Sequence, residues 1–481
     1  MILLSSSALL GLAAFLFLFW LVRRPKDLPP GPWSLPIIGY RFGSGLIHET
    51  YAELAKKYGP VFSIRRGPLL FVVLNDKDSM VQALVKAGEF FSDRFIPGHV
   101  RWGIPDAKKN AAIAWSQGKP WDDQRKFSLP ALRSFGLGKR SLVPQINLEA
   151  RYLAEEIKAF RGEPMDPSTI LNKATANIIV QLLFGRRYEY DDSEFIDVMK
   201  AMARAFGLVS DTDPVNIFEP LVHLPRYKQY RDSMIKLRDF IVSHLSSHQE
   251  TLQEDNIRDF SDAFLSHGIS KDYSINELSR ITLDFFAGGT ETTSVFASWA
   301  MLYLASYTDI QTKVQRELDE VVGRGRQPTI DDRPNLPYCD ATVLEIMRIR
   351  PVLPISLPHM TSADVPLGAY TIPKGTIIVP NIWAVHHDPK EWRDPSEFNP
   401  DRFLSADGQK VVKHDAWMPF SVGRRDCLGL QLAKMETFLL FTNLFQQFEF
   451  RFPPDQPTHS MRGRFGLSMT PEPFKVCAIE R

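Results

Sequence analysis

The stretch PFSVGRRDCLG, Pro419 to Gly429, holds a single cysteine between two glycines and behind two arginines. The 481-residue chain has only three cysteines, Cys339, Cys427 and Cys477, and none forms a C-x-x-C pair. This argues against a disulfide framework or a structural zinc site, and a reducing compartment fits. One reading of Cys427 is a buried structural cysteine, the usual fate of that residue. Its neighbours favour another. Gly423 and Gly429 permit tight turns and the close approach of a flat ligand. Arg424 and Arg425 favour the thiolate, which is the form that binds metal. From Leu430 onward the chain has helical periodicity, so Cys427 falls just before a helix N-terminus, whose dipole also favours a negative sulfur. These features suit an axial thiolate ligand to haem iron.

The pattern Phe420-x-x-Gly423-x-Arg425-x-Cys427-x-Gly429 resembles the haem-binding loop of the cytochrome P450 family. Three further motifs extend the resemblance over essentially the whole chain. Glu345 and Arg348, in LEIMRIRP, share a helix face at i and i+3. Read alone they are a solvated surface pair of little worth. With Arg402 of FNPDRF, the resemblance implies a buried Glu–Arg–Arg cluster that supports the haem loop. FFAGGTETTS, Phe285 to Ser294, places Gly288 and Gly289 inside a long apolar helix at a cost of about 1 kcal/mol each relative to alanine. One reading is a helix-packing notch. Glu291, a carboxylate in apolar surroundings, asks for more. The resemblance makes Glu291 and Thr292 an acid–alcohol pair that delivers protons to oxygen beside the iron, with Ala287 or Gly288 nearest the haem. It also makes Trp121, Arg125, Arg425 and His359 partners of the haem propionates. Phe286, Ala287, Val352, Leu353, Ile355 and Leu467 become the apolar substrate pocket. The implied cofactor is haem b with Cys427 as axial ligand.

Outside these motifs the chain is ordinary globular material, with a formal net charge of +1 and 44% hydrophobic residues. That excludes the charge excess of a nucleic-acid binder. Residues 2–22 carry no charge and are long enough to cross a bilayer as helix. Arg23, Arg24 and Lys26 follow them, so a transmembrane anchor with a cytosolic body is expected. Residues 23–36, rich in proline, read as a stiff hinge, and residues 37–481 as one catalytic domain. Val61 to Asp76 reads as a hairpin around Gly67–Pro68, and Tyr370 to Asn381 as a second around Pro373–Gly375. Helical periodicity covers Glu149–Phe160, Met234–His248, Ile275–Ala305, Gln311–Val322, Cys339–Arg350 and Gly429–Phe448. The expected fold is mainly α with small β-sheets.

The detailed resemblance is to animal microsomal members that hydroxylate xenobiotics, fatty acids and steroids. It implies a monooxygenase of the endoplasmic reticulum membrane that inserts one atom of O2 into an apolar small molecule. No nucleotide-binding fingerprint occurs, so electrons must come from outside. The implied donor is an NADPH-dependent flavoprotein reductase, with cytochrome b5 as a further partner. Two alternatives stay open: a haem-thiolate isomerase or dehydratase acting on peroxides without O2, and a non-enzymatic haem sensor.

Overall fold

Helices form where one face of the chain is apolar, and their ends follow local capping chemistry. The computed structural model describes residues 11, 15, 27–35, 39–43, 45–103, 112–208, 213–456 and 458–481, residue 269 by its backbone alone. The expected anchor, residues 2–22, lies almost wholly outside them. Among the described residues, no helix is long and apolar enough to cross a membrane. The described chain divides into two compact units. One comprises the residues up to Phe95 with Ile355–Asp388 and Ser421–Arg425; the other comprises Ile96–Pro354, Pro389–Phe420 and Asp426–Arg481.

The first unit is built on a five-stranded sheet in the order β1-β2-β7-β4-β3. Its strands are β1 (Val61–Arg66), β2 (Leu69–Leu74), β3 (Asp93–Arg94), β4 (His359–Met360) and β7 (Ile377–Pro380). Strands β1 and β2 form the expected hairpin, with Val61 opposite Leu74. The second expected hairpin does not form. Tyr370–Ile372 (β6) pairs with Val365–Leu367 (β5), whereas β7 runs parallel to β2 in the main sheet. Gly375 N–H donates to Thr361 O and Thr376 N–H to Pro373 O, which turns the chain out of one sheet and into the other. The described part of the proline-rich segment is docked rather than a free spacer. Pro30 O accepts from Ser63 N at 2.7 Å, and Pro29 O from Ser63 Oγ at 2.7 Å. Helix α1 (Ile47–Tyr58) completes this unit.

The second unit carries the helical core. Its longer helices are α2 (Gly118–Ser134), α3 (Val143–Lys158), α4 (Pro167–Phe184), α5 (Ser193–Gly207), α6 (Lys228–Thr251), α7 (Ile275–Ser306), α8 (Thr308–Val321), α9 (Pro337–Ile349) and α10 (Leu430–Gln447). Ser274 and Glu277 close a reciprocal capping box at the start of α7, which satisfies two backbone donors. Helix α4 packs along α7. A β-carbon on Gly289 would stand 2.3 Å from Ile179 Cδ1, so glycine permits this approach. Two short strand pairs, β8 (Phe448–Arg451) with β11 (Cys477–Glu480) and β9 (Gly463–Phe465) with β10 (Met469–Pro471), flank the helices.

Two histidines of this unit link stability to acid. Burial, joined by Arg280, lowers the His99 pKa to about 4 despite the Asn216 bond. Burial and then Arg186 lower that of His244 to about 4. Both titrate near 6.5 when unfolded. The unfolded chain therefore binds more protons between these values, and stability present above pH 6.5 is lost as pH falls toward 4. His248 opposes this: although burial depresses it, the Asp259 bond raises it. The expected outcome is a melting temperature that drops on acidification below pH 6.5, and a shallower drop in His99→Gln. An unchanged slope in that variant would remove His99 from the account.

Candidate functional site

The second unit presents the cysteine at the mouth of α10. Cys427 N–H donates to Phe420 O at 3.0 Å and Leu430 N–H to Cys427 O at 3.3 Å, so the loop closes as the helix begins. Cys427 is accessible, whereas Cys339 and Cys477 are buried. Protein nonetheless crowds it: burial, with Asp426, pushes its thiol upward, against the Gly429 amide and Arg125. The sulfur is thus recessed but reachable. Arg125 donates to Asp426 Oδ1 at 2.6 Å and Asp426 O at 3.2 Å, so much of its charge is spent beside the cysteine. The local cations alone do not make the thiolate; a bound metal cation would. A β-carbon on Gly429 would meet nothing closer than Cys427 Sγ, at 3.8 Å. Trp121 is buried one helical turn before Arg125.

Helix α7 is buried along most of its length but keeps one accessible strip. Gly288 is exposed, and Ala287, Glu291 and Thr292 are partly so. Thr292 Oγ donates to Gly288 O at 2.7 Å, a bond to the carbonyl four residues back that bends helices. The two glycines have separate duties: Gly289 admits Ile179 of α4, while a β-carbon on Gly288 would meet no atom within 4 Å. The packing notch is thus made by Gly289 alone. Burial raises the Glu291 pKa, partly offset by a 3.0 Å hydrogen bond from Ser468 Oγ.

On α9, Glu345 and Arg348 are fully buried. Arg348 donates bidentately to Glu345 at 2.6 and 2.8 Å, and Arg402 Nε donates to Glu345 Oε1 at 3.0 Å. The remaining guanidinium donors reach carbonyls of Arg393, Asp394, Pro395 and Glu397. The cluster therefore pins the chain between α9 and Arg402. It is no surface pair.

In the first unit, His359 and Arg94 sit opposite each other across β4 and β3. Arg425 Nε donates to Ser92 O at 2.7 Å, and Arg94 Nη1 to Leu357 O at 2.8 Å. All three side chains are buried. Burial, then Arg94 and Arg425, drives the His359 pKa well down, and no carboxylate acts on it. Its Nδ1 faces Phe91 O at 2.7 Å. A carbonyl only accepts, so Nδ1 carries the proton and Nε2 is a lone pair, buried without a hydrogen-bond partner. Buried arginines beside such a histidine suit an anionic group such as a propionate. Neutral His359 itself could not donate to one. At Gly423, with φ +84°, a β-carbon would lie 2.0 Å from Leu84 O, so the approach of Leu84 already requires glycine there.

The apolar residues divide. Ala287, Val352, Leu353 and Leu467 are partly accessible in the second unit and Ile355 in the first. Phe286 has no exposure and packs on Phe240, ring centroids 5.9 Å apart, so it belongs to the core. Sequence reasoning missed Arg94, whose signal was an arginine between Phe91 and Phe95. It also missed Ser468 and Glu436. Glu436, on α10, accepts from Thr293 Oγ at 3.4 Å, and burial pushes its carboxyl well up. A carboxylate in the run ETFLLF was the available signal.

A family model described as Cytochrome P450 matches residues 28–478. Cytochrome P450 2U1 of Bos taurus is 39% identical over 98% of this chain and 93% of its own length. Cytochrome P450 2J2 of Homo sapiens is 40% identical over 98% and 95%. Cytochrome P450 2D3 of Rattus norvegicus is 36% identical over the full length of both.

Two outcomes test the packing. Gly289→Ala should destabilise by roughly 1–3 kcal/mol through overpacking, while Gly288→Ala should stabilise by up to about 1 kcal/mol; melting temperatures that move in the same direction would contradict the division of roles. Glu345→Ala strands buried arginine charge and should cost roughly 3–5 kcal/mol. Chemical denaturation measures that loss, and haem-loaded protein should not accumulate.

Proposed function

Because the chain belongs to the cytochrome P450 family, whose members are haem-thiolate monooxygenases, we propose that it hydroxylates an apolar small molecule such as a fatty acid, steroid or xenobiotic. The observation that carries this reading is the accessible strip of α7, where Glu291 and Thr292 stand on a helix otherwise sealed in the core. Haem b, held through an axial cysteine thiolate, supplies O2 binding and O–O cleavage when present. Cys427, the reachable thiol, is the proposed ligand. Trp121, Arg125, Arg425 and Arg94 are proposed to neutralise propionates, with His359 joining them on taking up a proton. Phe420 and Gly429 frame the ligand loop.

Substrate C–H, O2, two electrons and two protons yield C–OH and water. Thr292 gives up its hydroxyl proton by rotating away from Gly288 O, and Glu291 resupplies it. This pair disfavours the peroxide isomerase, which needs no proton delivery, and the sensor. Ala287, Val352, Leu353, Ile355 and Leu467 offer apolar contact to substrate. Electrons come from an NADPH-dependent flavoprotein reductase, with cytochrome b5 as an auxiliary donor. Arg133 and Lys139, exposed at and beyond the end of α2, support an acidic partner there. Residues 2–22 hold the enzyme at the endoplasmic reticulum membrane, with its catalytic residues 37–481 in the cytosol.

Optical titration of the ferric protein with steroids and, separately, long-chain fatty acids tests the substrate class. A saturable low- to high-spin shift with one class selects it; no shift with either, in protein with a thiolate-type carbon monoxide spectrum, points to xenobiotics. Thr292→Ala should divert reducing equivalents to hydrogen peroxide, read as peroxide formed per NADPH consumed. Unchanged coupling would count against the proton role. Arg133→Glu should weaken reductase affinity and flatten its salt dependence.

A further inference from the structure

The hairpin of β9 and β10 brings an apolar contact residue and a buried hydroxyl together at successive positions. Leu467 is partly accessible, and Ser468 is 5% exposed. The tip has little freedom. Leu467 N–H donates to Phe206 O at 3.3 Å, and Gly466 lies so close to that carbonyl that a β-carbon would stand 2.6 Å from it. Met469 N–H donates to Val352 O at 2.8 Å, and Met469 O accepts from Trp299 Nε1 of α7 at 2.7 Å. Ser468 is therefore placed by the end of α5, by the chain after α9 and by α7 itself. From there its Oγ donates to Glu291 Oε1 at 3.0 Å. Among the described residues this is the hydrogen bond that holds the Glu291 carboxyl.

We propose that Ser468 is a positioning residue for proton delivery, its hydroxyl holding the Glu291 carboxyl in the orientation from which it resupplies Thr292. The inference rests on the roles given above to Glu291 and Thr292. A glutamate has three side-chain torsions, and an unheld carboxyl samples orientations from which no proton reaches Thr292. Burial and the Ser468 bond are the two influences on this carboxyl, and no charged side chain of α4, α10 or the hairpin contributes. Removing the bond therefore frees the carboxyl and leaves burial to raise its pKa further. When protons arrive too slowly, O2 takes two electrons from the reductase and two protons and leaves as hydrogen peroxide; the substrate C–H bond stays intact.

The experiment compares wild type, Ser468→Ala and Ser468→Thr as full-length holoenzymes with reductase and a spin-shifting substrate. In Ser468→Ala, peroxide per NADPH should rise at least threefold and product per NADPH should fall. The pH midpoint of coupling should move upward. Substrate affinity by spin shift should stay within twofold, and Ser468→Thr should restore coupling. In a Glu291→Gln background, Ser468→Ala should add nothing. Coupling equal to wild type, or effects that add in that background, would overturn the proposal. Ser468→Gly serves should the alanine protein not accumulate. The infrared carboxyl band identified by its loss in Glu291→Gln supplies a readout without turnover: it should shift in Ser468→Ala and return in Ser468→Thr, and a stationary band would also overturn the proposal. A wild type that forms no product would instead sink the monooxygenase reading, while the infrared band still tests Ser468.

Discussion

The close approach of α4 to α7 at Gly289 is the contact on which the second unit depends. A helix of 32 residues buried on several sides takes neighbours along its length, and at Gly289 the missing β-carbon lets Ile179 of α4 come near its backbone. With Ile179 seated at Gly289, the neighbouring Gly288 still has open space around it, and Glu291 and Thr292 of the next turn stay partly accessible. Helix α10 contributes from another side through Thr293 and Glu436, and the β9–β10 hairpin through Trp299 and Ser468.

Charge is handled in two ways. On the surface, pairs such as Lys126–Asp122 and Arg140–Asp331 are exposed and contribute little. Inside, some carboxylates are met by several partners. Glu345 receives two guanidinium groups and the Asn399 amide. Asp284, on α7, receives Arg280 and the Ala114 amide. Such arrangements gain little net stability over apolar packing, but losing one member leaves a charge stranded. They are therefore better understood as fixing where chain segments lie than as adding stability.

The helices with one apolar face were legible in the chain: the expected Ile275–Ala305 and the observed Ile275–Ser306 differ by one residue. Helix α4 was not, because it is apolar all round and shows no period to read. The second hairpin failed because alternation identifies strands without naming their partners, and β7 found β2. At the site, local motifs announced Cys427, Glu345, Arg348, Glu291 and Thr292. Arg94 and Ser468 stayed hidden because the residues they meet, His359 and Glu291, lie 265 and 177 positions away in the chain.

The docking of Pro29 and Pro30 onto Ser63 bears on how the protein can be shortened. Two donors of one serine find their acceptors in a segment that composition alone would class as dispensable spacer. Trimming the chain ahead of Leu28 leaves those carbonyls in place. Trimming to residue 37 strands both the Ser63 amide and its hydroxyl at a buried position on β1, and an unmet buried donor costs about 1–3 kcal/mol. A shortened form is thus better cut ahead of the prolines than at the boundary their composition suggests.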